Sequence, residues 1–362
     1  MSVAMESESY VIIDAHLDVA YNAVVLKRDL TLSLDELRER ERTVPPIDSQ
    51  AKDPMVTWPA LKKGRVAVIG GSLFVEPARK FSQHVTPCYR TPEQAHAQAI
   101  EQLDYYRRMN DDREDISLVT TRGELDAVWT SWESEIPVTG IFVIMEGADP
   151  IRKPDELGWW VEHGLRGIGL AWSAGTRYAG GNANPGPLTE EGESLLHAMA
   201  DYNLLLDISH LWETAAARVL DRYPGPIVAT HANPRAMVDA SRMLSDDIIR
   251  RLGDRGGVIG VIAFNRMLDA QWTLEQPRLP LTRLVEAVDH ICQVTGDAAT
   301  VGIGSDLDGG FGRPSVPDQL DSIADLRKIG GLLRERGYSE SEIQAVLHGN
   351  WLRVMREALE AF

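Results

Sequence analysis

The stretch YVIIDAHLDVAYN, residues 10–22, closes an apolar run with His16 and Asp18, two positions apart. In a β-strand, residues i and i+2 share a face. A strand ending at His16 therefore aims both side chains at one point beyond its C-terminal end. The pair is either a hydrogen-bonded core pair or half of a metal site. Other apolar runs end alike: Glu146 in VIMEGAD, His210 in LDISH, His231 in VATH, and Asp306 with Asp308 in GIGSDLDGG. Any one of these alone reads as a capped or hydrogen-bonded structural group. Gathered together, so many ionisable groups are costly to bury without compensating charge. Two divalent cations would supply it, and imidazole with carboxylate suits zinc, then manganese, iron or cobalt. A two-metal centre needs a bridging group. No apolar run ends in lysine, which makes Glu146 the bridging candidate. One metal then takes His16, Asp18 and Glu146, and the other takes Glu146, His210 and His231. Water shared by two such cations becomes hydroxide near neutral pH, a strong nucleophile.

The elements that must position these groups are legible as an alternation. Apolar runs at 11–14, 66–75, 138–145, 165–172, 203–209, 226–230, 257–264 and 300–305 read as buried strands. Between them lie helix-like stretches, among them 92–109, 213–223, 246–255, 282–296 and 339–359. Eight such strands alternating with helices predict an α/β fold, a single (β/α)₈ TIM barrel whose binuclear site lies at the C-terminal ends of the strands. An open doubly wound sheet is the alternative. It lacks the expected G-x-G-x-x-G after the first strand, since GRVAVIGG has the wrong spacing. A barrel of about 250 to 400 residues is one domain, so residues 1–362 are read as one unit. The charged, proline-punctuated segment 27–60 is too long for a simple connection and is expected to be an insertion over the barrel, a lid or an interface. Histidines 84, 96, 163, 197, 290 and 348 are read as surface residues.

Bulk properties narrow the partners. The 362 residues are 44% hydrophobic and 25% charged, with a formal charge of −17. Such an acidic chain lacks the basic face that nucleic acid or an anionic membrane requires. No run reaches the ~18 apolar residues of a membrane span. The start, MSVAMESESY, has neither basic nor apolar signal region. Two cysteines, Cys88 and Cys292, make neither a metal motif nor a disulfide framework. The expectation is a soluble cytoplasmic protein.

The ordered set IDAHLDV, MEGAD, LDISH, VATHANPRA, SRMLSDD and VGIGSDLDG resembles the membrane (renal) dipeptidases, peptidase family M19, over about residues 10–356. GGSLF, TPC with EQLDYYRRM, and the terminal GNWLRV belong to the likeness. The resemblance implies a (β/α)₈ barrel, two Zn²⁺ per chain (with Mn²⁺ or Co²⁺ possible), a homodimer, and hydrolysis of small dipeptides, including those with a C-terminal D-residue. It implies the metal ligands His16, Asp18, Glu146, His210 and His231. Asp306 matches the family's acid/base carboxylate, and Arg242 matches the arginine that holds the substrate's free carboxylate. A guanidinium fork suits a carboxylate; without the resemblance, Arg242 would be read as a surface partner of Asp246 or Asp247.

The chain departs from that pattern in places. GLAWSAG puts Trp172 where mammalian members carry a substrate-contacting histidine. Indole is one N–H donor and neither acid, base nor ligand, so Trp172 donates to an oxyanion or walls the substrate pocket. Near the seventh strand a family tyrosine is replaced by the stretch Phe264-Asn265-Arg266-Met267. Asn265 is a substrate-binding candidate there, and Arg266 either favours an acidic substrate side chain or lies on the surface. Cys88 matches a disulfide-bonded family cysteine whose partner position is Ala174, and no tail resembles the lipid-anchor signal of mammalian members. The alternative readings are a related binuclear hydrolase acting on another carboxylate-bearing amide or β-lactam, an N-acyl amino acid or a lactone, and a metal-containing accessory protein that has lost hydrolysis.

Overall fold

The computed structural model describes residues 10–45, 51–78 and 87–362. Eleven strands occur among them: β1 (Ile12–Leu17), β2 (Val66–Phe74), β3 (Ile116–Leu118), β4 (Thr139–Glu146), β5 (Leu165–Gly169), β6 (Ala179–Gly181), β7 (Asn184–Leu188), β8 (Leu205–Asp207), β9 (Ile227–Val228), β10 (Ile259–Val261) and β11 (Val301–Ile303). Eight of these run parallel in the order β10-β11-β1-β2-β4-β5-β8-β9. The parallel bridge between Ala229 and Ile259 joins the two ends, with Ala229 N–H donating to Val258 and Gly260 N–H to Ala229. The fold is a (β/α)₈ TIM barrel. Strand β3 adds outside β4, and β6–β7 form an antiparallel hairpin after β5.

Every residue of the eight barrel strands is buried. That double-sided burial is why they read as continuous apolar runs rather than alternating ones. Each predicted run overlaps one barrel strand. The observed strands from β5 onward are shorter than those runs, because their last residues leave the ladder to carry polar groups over the barrel mouth.

Helices follow local signals. The helix Pro92–Asp112 starts at Thr91, whose hydroxyl accepts from Gln94 N–H, with proline at its first position. The helix Thr282–Thr295 stops at Gly296, whose φ of 91° suits glycine. The predicted helix 339–359 is helical throughout its core but contains a π-helical turn, Ala345–Gly349, between Glu340–Gln344 and Asn350–Ala358. That turn half-buries His348 beside Trp129, ring centroids 4.7 Å apart. Of the histidines read as surface residues, His197 is exposed. His96, His163, His290 and His348 are partly buried, and His84 lies outside the described residues.

The segment 27–60 contributes the helix Leu34–Thr43 and, at its end, the helix Trp58–Lys63 that returns the chain to β2. Residues 46–50 lie outside the described residues. The segment is tied to the loop after β11: the Asp308 carboxylate accepts from Met55 N–H at 2.9 Å and Val56 N–H at 2.9 Å. Arg28 reaches the same place, 3.9 Å from Asp308, and donates to Glu41, Asn22 and Ala51. Asp308, grouped in sequence with the crater carboxylates, is thus taken up as an anchor for this segment.

Candidate active site

The barrel gathers the strand-end residues into one buried crater. His16 and Asp18 come from the end of β1, Glu146 from the end of β4, His210 and His231 from just beyond β8 and β9, and Asp306 from beyond β11. Glu146 stands at the centre. Its Oε2 faces His16 Nε2 at 3.5 Å, while its Oε1 faces His210 Nε2 at 2.9 Å and His231 Nε2 at 3.3 Å. Asp18 lies on the His16 side, 3.9 Å from Nε2. Ligand-type atoms of His16, Glu146 and His231, and likewise of His16, Asp18 and Asp306, fall within 4.8 Å of one another. The two oxygens of one carboxylate thus address two different sets of donors.

Each imidazole is held from behind, at Nδ1. His210 Nδ1 faces Asn182 Oδ1 at 2.9 Å. His231 Nδ1 and His16 Nδ1 both face the hydroxyl of Thr230, at 2.9 Å and 3.2 Å. Asp207 accepts from the Thr230 hydroxyl and backbone N–H and from those of Ser209. Ser72 donates to Asp18. Beneath His16, the fully buried Asp14 accepts from Ser305 and locks β1 to the start of the Asp306 loop. These supporting residues were not picked out by sequence reasoning. Their signal was a polar residue inside an apolar run: Asp14 in VIID, Asp207 in LLLD and Thr230 in IVAT.

The side chains fit a metal centre. His16 Nε2 is buried with no hydrogen-bond partner among the described residues, an arrangement that is expensive unless an ion or donor meets it. His210 and His231 bring their Nε2 atoms to 3.0 Å from each other, although both are acceptors when each Nδ1 carries the proton. The charges agree. Burial would lower His16, but Glu146, Asp18 and Asp306 outweigh it and push the imidazole up to about 10. His210 is pushed down to about 4 by burial and by Arg242. His231 is held well below the ordinary range by burial and by His16. Burial works to raise Glu146, yet His16 and its neighbours hold it well below the usual carboxylate range. Asp18 is pushed up to about 6 by burial and by Glu146. Burial, then Asp18 and Glu146, keep Asp306 well above its ordinary value, with His16 and Arg242 pulling the other way. The cluster is rich in carboxylates and short of positive charge, the condition a cation relieves.

Arg242 is buried rather than on the surface. Its guanidinium donates to Ser209 O at 2.6 Å and His231 O at 2.7 Å, and one terminal nitrogen lies 3.3 Å from His210 Nε2. Asp246 pairs with His290 and Asp247 with Arg251. Trp172 sits three residues past β5, packed against Phe74 at 5.0 Å and 6.2 Å from the His210 ring, measured between centroids. With Tyr21 against Phe74 at 5.2 Å it forms an aromatic wall. Asn265 is fully buried and donates to Val316 O at 3.1 Å, leaving its Oδ1 without a partner among the described residues. Arg266 is exposed. Neither Cys88 nor Cys292 is in a disulfide.

The comparisons with known proteins agree with this geometry. Residues 5–361 match the family described as membrane dipeptidase, peptidase family M19. A protein of Klebsiella pneumoniae, described as uncharacterised and encoded in the pqqA 5′ region, is 32% identical over 201 residues, covering 53% of this chain and 72% of its own length. Dipeptidase 3 of Macaca fascicularis is 28% identical over 279 residues, covering 75% of this chain; the match spans about half, 54%, of that relative. Among solved structures, a metallopeptidase of Rhodobacter sphaeroides liganded with a phosphinate mimic of L-Ala-D-Ala superposes with a TM-score of 0.76 at 22% identity, covering 96% of this chain and 99% of the other, which shows the shared fold. The chain belongs to the membrane dipeptidase family, peptidase family M19, a family of metallo-dipeptidases.

Proposed function

We propose that the protein is a binuclear zinc dipeptidase that cleaves free dipeptides, including those with a C-terminal D-residue. The observation that carries this reading is the split of Glu146, with Oε2 toward His16 and Oε1 toward His210 and His231. One metal would be held by His16, Asp18 and Glu146, and the other by Glu146, His210 and His231. When bound, the two cations would acidify a shared water and polarise the scissile carbonyl. Arg242 holds the substrate's carboxylate. Its buried position beside His210 sets the substrate's C-terminal end against the metal-binding atoms. Asp306, kept basic enough by burial to take a proton, accepts one from the attacking water and passes it to the leaving amine. The wall of Tyr21, Phe74 and Trp172 excludes water from that side of the crater and contacts the substrate's apolar parts. The Rhodobacter relative's L-Ala-D-Ala mimic supports tolerance of a D-residue at the C-terminal side.

The test is a panel of L-Ala-L-Ala, L-Ala-D-Ala, Gly-D-Ala, L-Ala-L-Glu and N-acetyl-L-Ala, assayed with the zinc-loaded protein with and without chelator. Chelator-sensitive cleavage of the dipeptides, with the N-acetyl compound spared and about two zinc ions bound per chain, is the expected result. Two ions bound with no dipeptide cleaved would reject the reading. Among the described residues no helix is long and apolar enough to cross a membrane. We take the enzyme to act in the cytoplasm, and to do so as a homodimer, the assembly that the family resemblance suggests; light scattering of the purified protein tests the dimer.

A further inference from the structure

One hydroxyl stands behind both ligand sets. A threonine oxygen has one proton to give and two lone pairs. Thr230 Oγ1 gives its proton to Asp207 Oδ2 at 2.5 Å and faces His231 Nδ1 at 2.9 Å and His16 Nδ1 at 3.2 Å. Asp207 is itself fixed by Ser209 N–H at 2.9 Å and Thr230 N–H at 3.0 Å, so its carboxylate is a fixed acceptor for the hydroxyl proton. The only arrangement that satisfies all three contacts has both imidazoles donating Nδ1–H to Thr230. Both Nε2 atoms then face Glu146, one toward each of its oxygens, the positions at which a metal would be held. The Thr230 backbone is closely packed: a Cβ on Gly304, just past β11, would lie 1.7 Å from Thr230 O, and one on Gly260 in β10 would lie 2.0 Å from it, so glycine at both positions lets the barrel close around this backbone. His210, the remaining imidazole, is oriented separately by Asn182.

We propose that Thr230 is a shared positioning residue for the two metal sites, setting the tautomer and ring angle of one histidine in each. The proposal rests on the binuclear reading above. Outer contacts to a metal-ligating histidine commonly change metal affinity about 10- to 100-fold when removed. A residue behind one histidine should weaken one metal, and Thr230 should weaken both.

The experiment is stepwise zinc affinity, by competition with a chromophoric chelator, for wild type, Thr230→Val, Thr230→Ser and Asn182→Ala, with cobalt-substituted spectra of each. Thr230→Val should lose about 10- to 100-fold in both steps and change both cobalt environments. Thr230→Ser should restore wild-type values, and Asn182→Ala should weaken one step only. Wild-type affinities in Thr230→Val, or a loss confined to one step, overturns the proposal. A second readout needs no variant: imidazole ¹⁵N spectra of the zinc-loaded wild type should show Nδ1–H protons on both His16 and His231, protected from exchange. An Nε2–H tautomer at either ring overturns it even where Thr230→Val fails to fold. A wild type that takes up no metal would instead overturn the binuclear reading itself.

Discussion

Replacing Arg242 by lysine separates substrate recognition from scaffolding. The guanidinium now spends two N–H bonds on Ser209 O and His231 O, at 2.6 Å and 2.7 Å, and keeps further N–H groups beside His210. Lysine keeps the charge but loses the fork and its second contact. A hydrogen bond to a charged group contributes roughly 1.5–3 kcal/mol, and truncating one side of a buried charge pair costs roughly 2–5 kcal/mol. With the charge kept, a loss of about 2–4 kcal/mol is expected, or roughly 30- to 1000-fold in kcat/KM. The carboxylate is bound in ground and transition states alike, so most of the loss should appear in KM. The assay is a cycle: wild type and Arg242→Lys, each with L-Ala-L-Ala and its C-terminal amide. Wild type should prefer the free acid strongly, and Arg242→Lys should lose most of that preference while its rate on the amide changes little. Equal losses on acid and amide would show that Arg242 acts only by holding the Ser209 and His231 carbonyls, and would refute the carboxylate assignment.

Four further outcomes follow from the geometry. In the metal-free protein His16 keeps its proton up to about 10. Its folded pKa is raised, so its contribution to stability is fully present below about 6.5 and is lost as pH rises toward 10. The melting temperature of metal-free protein should therefore fall from pH 7 to 10 while apparent zinc affinity rises about tenfold per pH unit from 7 to 9 as zinc displaces that proton; flat curves would refute the assignment. Asp306→Asn should keep both metals and lose about 10²–10⁴ in kcat. Gly309→Ala, whose Cβ would lie 1.9 Å from Asp306 Oδ1, should lower kcat in the same direction with metal content intact, and a normal kcat there would mean the carboxylate's position is unimportant. Asp308→Ala strips the acceptor from the Met55 and Val56 N–H groups and takes from buried Arg28 one of its two nearby carboxylates, leaving Glu41. Urea unfolding should show a loss of about 2–4 kcal/mol, and a loss under about 0.5 kcal/mol would show that the 27–60 segment is not anchored there.

The sequence by itself determined the barrel and the kinds of atom at its mouth. Strands buried on both faces must be apolar along their whole length, so eight such runs are visible without coordinates, and a histidine or carboxylate closing one of them stands out against it. The ordered motifs carried the family as well. What only the tertiary structure decided is how those atoms are shared. His16 and Thr230 are 214 residues apart, and nothing local in either segment announces that one hydroxyl serves His16 and His231 together. Asp306 and Asp308 look alike in SDLDGG, yet the fold turns one into the crater and binds the other to the backbone of Met55 and Val56. Arg242 has acidic neighbours four and five residues on, but burial draws it to the Ser209 and His231 carbonyls instead. Local patterns fix which residues leave a strand and on which face. Which partner a polar group takes depends on what the closed barrel brings within about 3 Å, and that is a property of the whole chain.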